Sequence, residues 1–176
     1  MTISDLKKTF GDFAKDTKIN LGNVLSEDGA PDLNLLQIAC VGLASSYTAN
    51  CNELSDAIIS EFTEVLDETH IEACKSAASI MAMNNIYYRF IHLSTDQEYQ
   101  NLSANLRMQI IGNPGIDKIV FELCSMAISA INGCGMCMDS HAKQLVNAGI
   151  SKIGIQSAVR IASVINAAAT TKRLSS

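Results

Sequence analysis

The chain has 176 residues, 48% of them apolar and 18% charged, which is enough apolar material for one buried core and excludes a disordered chain. Eighteen acidic against thirteen basic residues give a net charge of −5, which argues against nucleic acid or an anionic membrane surface as the main partner. Two prolines, Pro31 and Pro114, and no tryptophan leave a chain poor in breakers and rich in helix formers, so the composition predicts an all-α protein.

Residues 3–25 read as one or two short amphipathic helices, with Ile3, Leu6, Phe10 and Phe13, then Ile19, Leu21, Val24 and Leu25, on apolar stripes. Residues 26–32 carry turn chemistry, and Asp32 is the expected cap of the next helix. Residues 33–49 are almost wholly apolar, as a buried helix requires, and Asn50 interrupts them. A polar-faced helix is expected over about 52–66 and a longer one over about 68–92. Gly112-Asn113-Pro114-Gly115 is the strongest break, and three further helices are expected near 116–131, 134–148 and 151–173. No β-period alternation is long enough to read as a strand.

The two halves echo each other. Residues 75–80 line up with 156–161, Asn85 with Asn166, and Asn50-Cys51 falls near Gly133-Cys134. We therefore expect one compact helical domain spanning 1–176, with about 33–93 and about 116–173 as repeats sharing a core. The N-terminus alternates charged and apolar residues and lacks the apolar stretch of a secretory leader, and no run reaches the ~20 apolar residues of a membrane span. The expected address is the cytoplasm, where paired cysteines are more often catalytic, redox-sensing or metal-binding than structural.

Of six cysteines, Cys40, Cys51, Cys74 and Cys124 sit in apolar helical contexts and read as core fillers. Cys134 and Cys137 differ. Asn132-Gly133 ends one helix and Cys134 opens the next, where unpaired backbone N–H groups favour a thiolate. Cys134, Cys137 and His141 are spaced i, i+3 and i+7, on one helical face, so the two sulfurs are one turn apart and an imidazole lies one turn beyond. The spacing permits a Cys134–Cys137 disulfide and gives Cys137 a base within reach.

Glu122, eleven intervening residues and Cys134-x-x-Cys137-x-x-x-His141 resemble the active-site signature of the alkyl hydroperoxidase D family, within the carboxymuconolactone decarboxylase superfamily, and the likeness extends upstream through residues 81–89 and the 106–115 stretch ending in Asn113-Pro114-Gly115. The likeness runs from about Leu35 onward. It implies an all-helical, thiol-dependent alkyl hydroperoxide reductase, as a homotrimer, with no cofactor and no metal. By the same match, Cys137 is the attacking thiol and Cys134 resolves its sulfenic acid into a disulfide. His141 would activate Cys137, and Glu122 would orient that imidazole or relay protons through it. The implied partners are an organic hydroperoxide, a peroxiredoxin that the protein re-reduces, and a dihydrolipoamide-bearing protein as reductant. One departure stands out: the residue before the second cysteine is often His in close relatives, and here it is Met136.

The rival reading is a metal-binding or redox-sensing module that uses the same thiols without turnover. Cys134, Cys137 and His141 are zinc-type ligands, and Glu122 would be a fourth, yet three ligands on one helix face strain a tetrahedron and no second such cluster exists. A c-type haem needs His directly after the second cysteine, where Met138 stands. A decarboxylase on the same fold has no need of a CxxC.

Overall fold

A computed structural model describes residues 1–175. Among them 74% are helical and none lies in a strand, so the chain is all-α. It begins with α1 (Ile3–Lys8), capped by Thr2, whose hydroxyl accepts from the Asp5 N–H while Asp5 reaches back to the Thr2 N–H. After Gly11 a 3₁₀ turn, Asp12–Ala14, leads into α2 (Lys15–Val24). That turn changes the register: Leu6, Phe10, Leu21 and Val24 are buried as the stripes require, but Phe13 and Ile19 are 65% and 66% exposed.

Asp32 does not cap the next helix. It adopts φ 64°, and its carboxylate accepts from the Ser151 hydroxyl at 2.6 Å. The cap of α3 (Leu35–Thr48) is Asn34, whose side chain accepts from the Gln37 N–H at 2.9 Å while Gln37 accepts from the Asn34 N–H at 2.9 Å. The two-residue offset frees Asp32 to tie the loop to the far end of the chain.

The remaining helices are α4 (Asn52–Glu61), α5 (Glu68–Leu93), α6 (Gln109–Gly112), α7 (Lys118–Asn132), α8 (Gly135–Asn147) and α9 (Lys152–Leu174). α4 ends five residues earlier than its sequence pattern, because Phe62 turns into the core and Asp67 then caps α5 through the His70 N–H. A 3₁₀ turn, Gln97–Asn101, and the short α6 occupy a stretch whose sequence carries no periodicity.

α3 and α7 form the centre. α3 packs on α4, α5, α7 and α9, and α7 on α3, α5, α8 and α9. Their apolar sides supply Ile38, Leu43, Phe121, Leu123 and Ile128, all essentially inaccessible to water. Burial of each such side chain contributes about 1.5–3 kcal/mol. The buried serines are satisfied: Ser45 donates to Val41 O at 2.7 Å, Ser46 and Ser55 share a 2.8 Å hydroxyl contact, and Ser125 donates to Phe121 O at 2.9 Å.

Both central helices end in the same turn. Beyond α3, Asn50 takes φ 54°, its N–H donates to Tyr47 O, and the Cys51 N–H donates to Ser46 O. Beyond α7, Gly133 takes φ 68°, its N–H donates to Ala130 O, and the Cys134 N–H donates to Ser129 O. Each is a Schellman closure that satisfies the last free carbonyls. Cys51 and Cys134 then stand as the N-caps of α4 and α8.

Candidate active site

The left-handed Gly133 folds α8 back against α7, so the start of α8 faces the body of its predecessor. Cys134 is extended, with φ −95° and ψ 93°, and its Sγ accepts from the Cys137 N–H at 3.3 Å. A sulfur in that position meets the positive end of the helix, which stabilises a thiolate. One turn on, Cys137 is joined to Cys134 as a disulfide, with Cα atoms 5.3 Å apart.

His141 follows Cys137 by four residues on the same face, so the two side chains are neighbours. The packing of α8 on α7 brings Glu122 to it: His141 Nδ1 and Glu122 Oε2 lie 2.7 Å apart, with both side chains largely shielded from water. All four residues singled out from the sequence, Glu122, Cys134, Cys137 and His141, therefore gather in one place. With Glu122 as the acceptor of this bond, Nδ1 is the donor and Nε2 is the ring nitrogen left free to act on a neighbour.

A cavity of about 330 Å³ opens on Cys137 and His141. Cys137 retains 7% exposure and lines it, whereas Cys134 is fully buried behind it. Any molecule entering the cavity meets Cys137 first. The apolar wall comes from Met81 and Tyr88 of α5, Met108, Ile111 of α6, and Met136. Met136 thus brings a thioether, not a titratable ring, to its position beside Cys137. Polar groups on the wall are Asn84, Ser140 and Gln144.

The family resemblance covered residues 81–89 of α5, but nothing in the local pattern gave these residues a place in the site. Tyr88 is half-buried and its hydroxyl lies 4.0 Å from the Met108 sulfur, while Arg89 donates to the terminal Asn132 carbonyl of α7 at 2.6 Å. The signal that was present is Asn84-Asn85, an adjacent polar pair inside an apolar helix. Asn85 bonds α7 twice, donating to the Ser129 hydroxyl at 2.9 Å and accepting from the Asn132 amide at 2.9 Å. Asn84, one helical step away, faces the cavity instead, and its buried Oδ1 has no partner. An unsatisfied buried acceptor costs about 1–3 kcal/mol.

None of the remaining thiols lines this cavity, although Cys51, like Cys134, caps a helix start. Cys74 donates to Cys40 O at 3.4 Å, and hydrogen bonding with Cys74, together with burial, pushes the Cys40 thiol far up. Hydrogen bonding with Cys124, then burial, does the same to Cys74, and burial raises Cys51. A raised value favours the thiol over the nucleophilic thiolate. His70 pairs with Asp67 at the exposed start of α5, at 2.7 Å. A larger cavity of about 500 Å³, bounded by Tyr47, Asn50, Arg89 and Asn132 among others, presents no thiol, imidazole or carboxylate among the described residues. No three His, Cys, Asp or Glu side chains are grouped to hold a metal ion, and no helix is long and apolar enough to cross a membrane, among the described residues.

Fold and site together define a class: a helical protein whose CxxC opens a helix beside a Glu–His pair. Residues 97–174 match the carboxymuconolactone decarboxylase family. The alkyl hydroperoxide reductase AhpD of Coxiella burnetii (strain RSA 493 / Nine Mile phase I) is 55% identical over 160 residues, covering 91% of this chain and 90% of that protein. The protein of the same name from Brucella anthropi is 48% identical over 171 residues, 96% of this chain and 95% of the relative. That of Rhodospirillum centenum is 44% identical over 170 residues, 97% and 90% respectively. The chain belongs to the AhpD family of alkyl hydroperoxide reductases, within the carboxymuconolactone decarboxylase family.

Proposed function

We propose that the protein is a thiol-dependent alkyl hydroperoxide reductase that cycles Cys134 and Cys137 between dithiol and disulfide. The observation that carries this reading is the 2.7 Å Glu122–His141 pair beside a CxxC whose second sulfur alone faces the cavity. His141 takes the Cys137 proton through Nε2, and Glu122 holds the ring and balances the imidazolium, the nucleophile–base–orienter arrangement. The Cys137 thiolate attacks the terminal oxygen of ROOH. An S–O bond forms, the O–O bond breaks, and the alkoxide leaves as ROH with the proton from His141. The Cys134 thiol then attacks the sulfenic sulfur, forming the disulfide and releasing water.

Two electrons must return from a dithiol, and a dihydrolipoyl group on a partner protein supplies them by two thiol–disulfide exchanges, ending as its own cyclic disulfide. The same exchange run toward a peroxiredoxin disulfide would re-reduce that partner. The relatives' name, alkyl hydroperoxide reductase AhpD, supports the hydroperoxide substrate. A cytoplasmic address and a homotrimer belong to the same proposal. Exposed Ile86, Phe90 and Leu93 on α5, with Tyr99 and Leu102 nearby in sequence, support self-association by offering apolar surface for a second copy to cover. The matching Schellman turns at Asn50-Cys51 and Gly133-Cys134 support a duplicated helical unit, in which only the second copy carries a CxxC.

The test is thiol mapping by mass spectrometry of reduced, chelator-treated protein before and after one equivalent of cumene hydroperoxide. A rapid Cys134–Cys137 disulfide, slowed in His141→Ala, is the expected result. Thiols that stay reduced in hydroperoxide would sink the peroxidatic step.

A further inference from the structure

Asn84 lies on α5, 5% exposed, in the wall of the cavity that opens on Cys137 and His141. Among the described residues its amide makes no hydrogen bond at either end. The two ends differ in what can reach them. Oδ1 is closed off, whereas Nδ2 is the polar atom left accessible, so Asn84 offers the cavity a donor and no acceptor. Its neighbour Asn85 engages α7 with both ends of its amide, so α5 does not lack for partners. Around Asn84 the wall is mostly thioether and hydrocarbon, from Met81, Met108, Ile111 and Met136. In such surroundings a fixed N–H favours an oxygen that is gaining negative charge more strongly than it would in water.

We propose that Asn84 is a catalytic donor, whose Nδ2–H holds the alkyl-side oxygen of the hydroperoxide while the O–O bond breaks. The inference rests on the hydroperoxide reading above and adds to it a residue outside the Glu–His–Cys set. The Cys137 thiolate attacks the terminal oxygen, and the S–O bond forms as the O–O bond breaks. The terminal hydrogen stays on the transferred oxygen as Cys137–S–O–H, which is neutral. The electron pair of the broken bond goes to the alkyl-side oxygen, so that is where negative charge grows. His141 gives this oxygen its proton and ROH leaves. Asn84 transfers nothing; its N–H strengthens its hold as the charge develops and releases a neutral alcohol. A reaction of Cys137 that expels no strongly basic oxygen has no such need of it.

The experiment compares reduced wild-type protein with Asn84→Leu and Asn84→Met, both of which drop the amide and differ in shape. Three reagents are followed at one pH: cumene hydroperoxide and peracetic acid by stopped flow, and iodoacetamide by the mass of the alkylated protein. Cumene hydroperoxide must expel a basic alkoxide, peracetic acid leaves as acetate, and iodoacetamide reports the Cys137 thiolate with no oxygen leaving. Asn84→Leu should slow the cumene hydroperoxide step about 10–100-fold, the worth of one hydrogen bond to a charged group. The peracetic acid and iodoacetamide rates should stay within about threefold of wild type. Its melting temperature should hold or rise, since an orphaned buried acceptor is removed. Equal slowing with all three reagents, or lowered melting temperatures in both variants, makes Asn84 a packing residue and overturns the proposal. A loss shared by iodoacetamide overturns it too, because the amide would then act on the thiolate. Wild-type protein that oxidises while both variants keep its full rate defeats the Asn84 donor alone; wild-type protein inert to hydroperoxide defeats the proposed function with it.

Discussion

His141 Nδ1 lies 2.7 Å from Glu122 Oε2, a contact between α8 and α7 across 19 positions of sequence. The pair is only slightly exposed, so solvent screens it weakly. Removing the imidazole should slow oxidation of Cys137 by about 10²–10⁴-fold, the usual reach of general acid–base catalysis. Glu122→Gln keeps a hydrogen-bonding side chain without the charge, and its rate should fall between wild type and His141→Ala. Stopped-flow oxidation rates of the three proteins at one pH order them. A Glu122→Gln rate equal to wild type would make the contact structural.

The cavity reaches Cys137 and not Cys134, so the two thiols should fail differently when replaced. Cys137→Ser should abolish reaction with hydroperoxide. Cys134→Ser should still react once, leaving a sulfenic acid that a dimedone probe captures and excess peroxide drives to sulfinic acid. Intact-mass spectra read both outcomes, and labelling at Cys134 in the Cys137→Ser protein would reverse the assignment.

Gly133 takes φ 68° at the turn that presents Cys134, and a Cβ built there meets nothing within 4 Å. Gly133→Ala should therefore cost only the backbone preference for a left-handed residue, about 1–2 kcal/mol, with no clash added. Urea titration measures it. A larger loss would mean that the turn gives way and α8 shifts with it.

Asn85 joins α5 to α7 through Ser129 and Asn132, next to the turn that ends at Cys134. Asn85→Ala strips partners from two side chains, one buried and one half-buried, and should destabilise the fold by about 1–3 kcal/mol. Hydroperoxide turnover should drop less than in His141→Ala, because Asn85 lines the other cavity and not this one. Paired stability and rate measurements separate the two effects.

Cys40 and Cys74 are held protonated in the folded core, Cys40 by hydrogen bonding with Cys74 and burial, Cys74 by hydrogen bonding with Cys124 and burial. Unfolded, each thiol ionises near pH ~8.5. A folded-state value above the unfolded one gives stability that is complete below pH ~8.5 and declines as the pH rises past it, by about 1.4 kcal/mol per pH unit for each thiol. Cys40→Ala should make that alkaline decline shallower by about one thiol's share. Urea titrations between about pH 8 and about pH 10 would test it, and parallel slopes for the two proteins would refute it.

By itself the sequence determined the helical class, the breaks at Asn50, Gly112–Gly115 and Gly133, and the shared face of Cys134, Cys137 and His141. These depend on interactions within a turn or two: helix periodicity, a left-handed residue closing a helix, a sulfur at a free N–H. Local patterning misjudged Asp32, Phe13 and Ile19, because a two-residue shift of a cap or one 3₁₀ turn redirects side chains that the pattern alone assigns. Glu122 entered the site only by resemblance; nothing in its own surroundings aims it at His141, and the contact exists because α8 folds back along α7. Resemblance marked the stretches 81–89 and 106–115, but their place in the cavity wall was decided by tertiary structure. Met81, Asn84 and Tyr88 come from α5 and Met108 from an aperiodic stretch, and only the packing of distant helices sets them around Cys137.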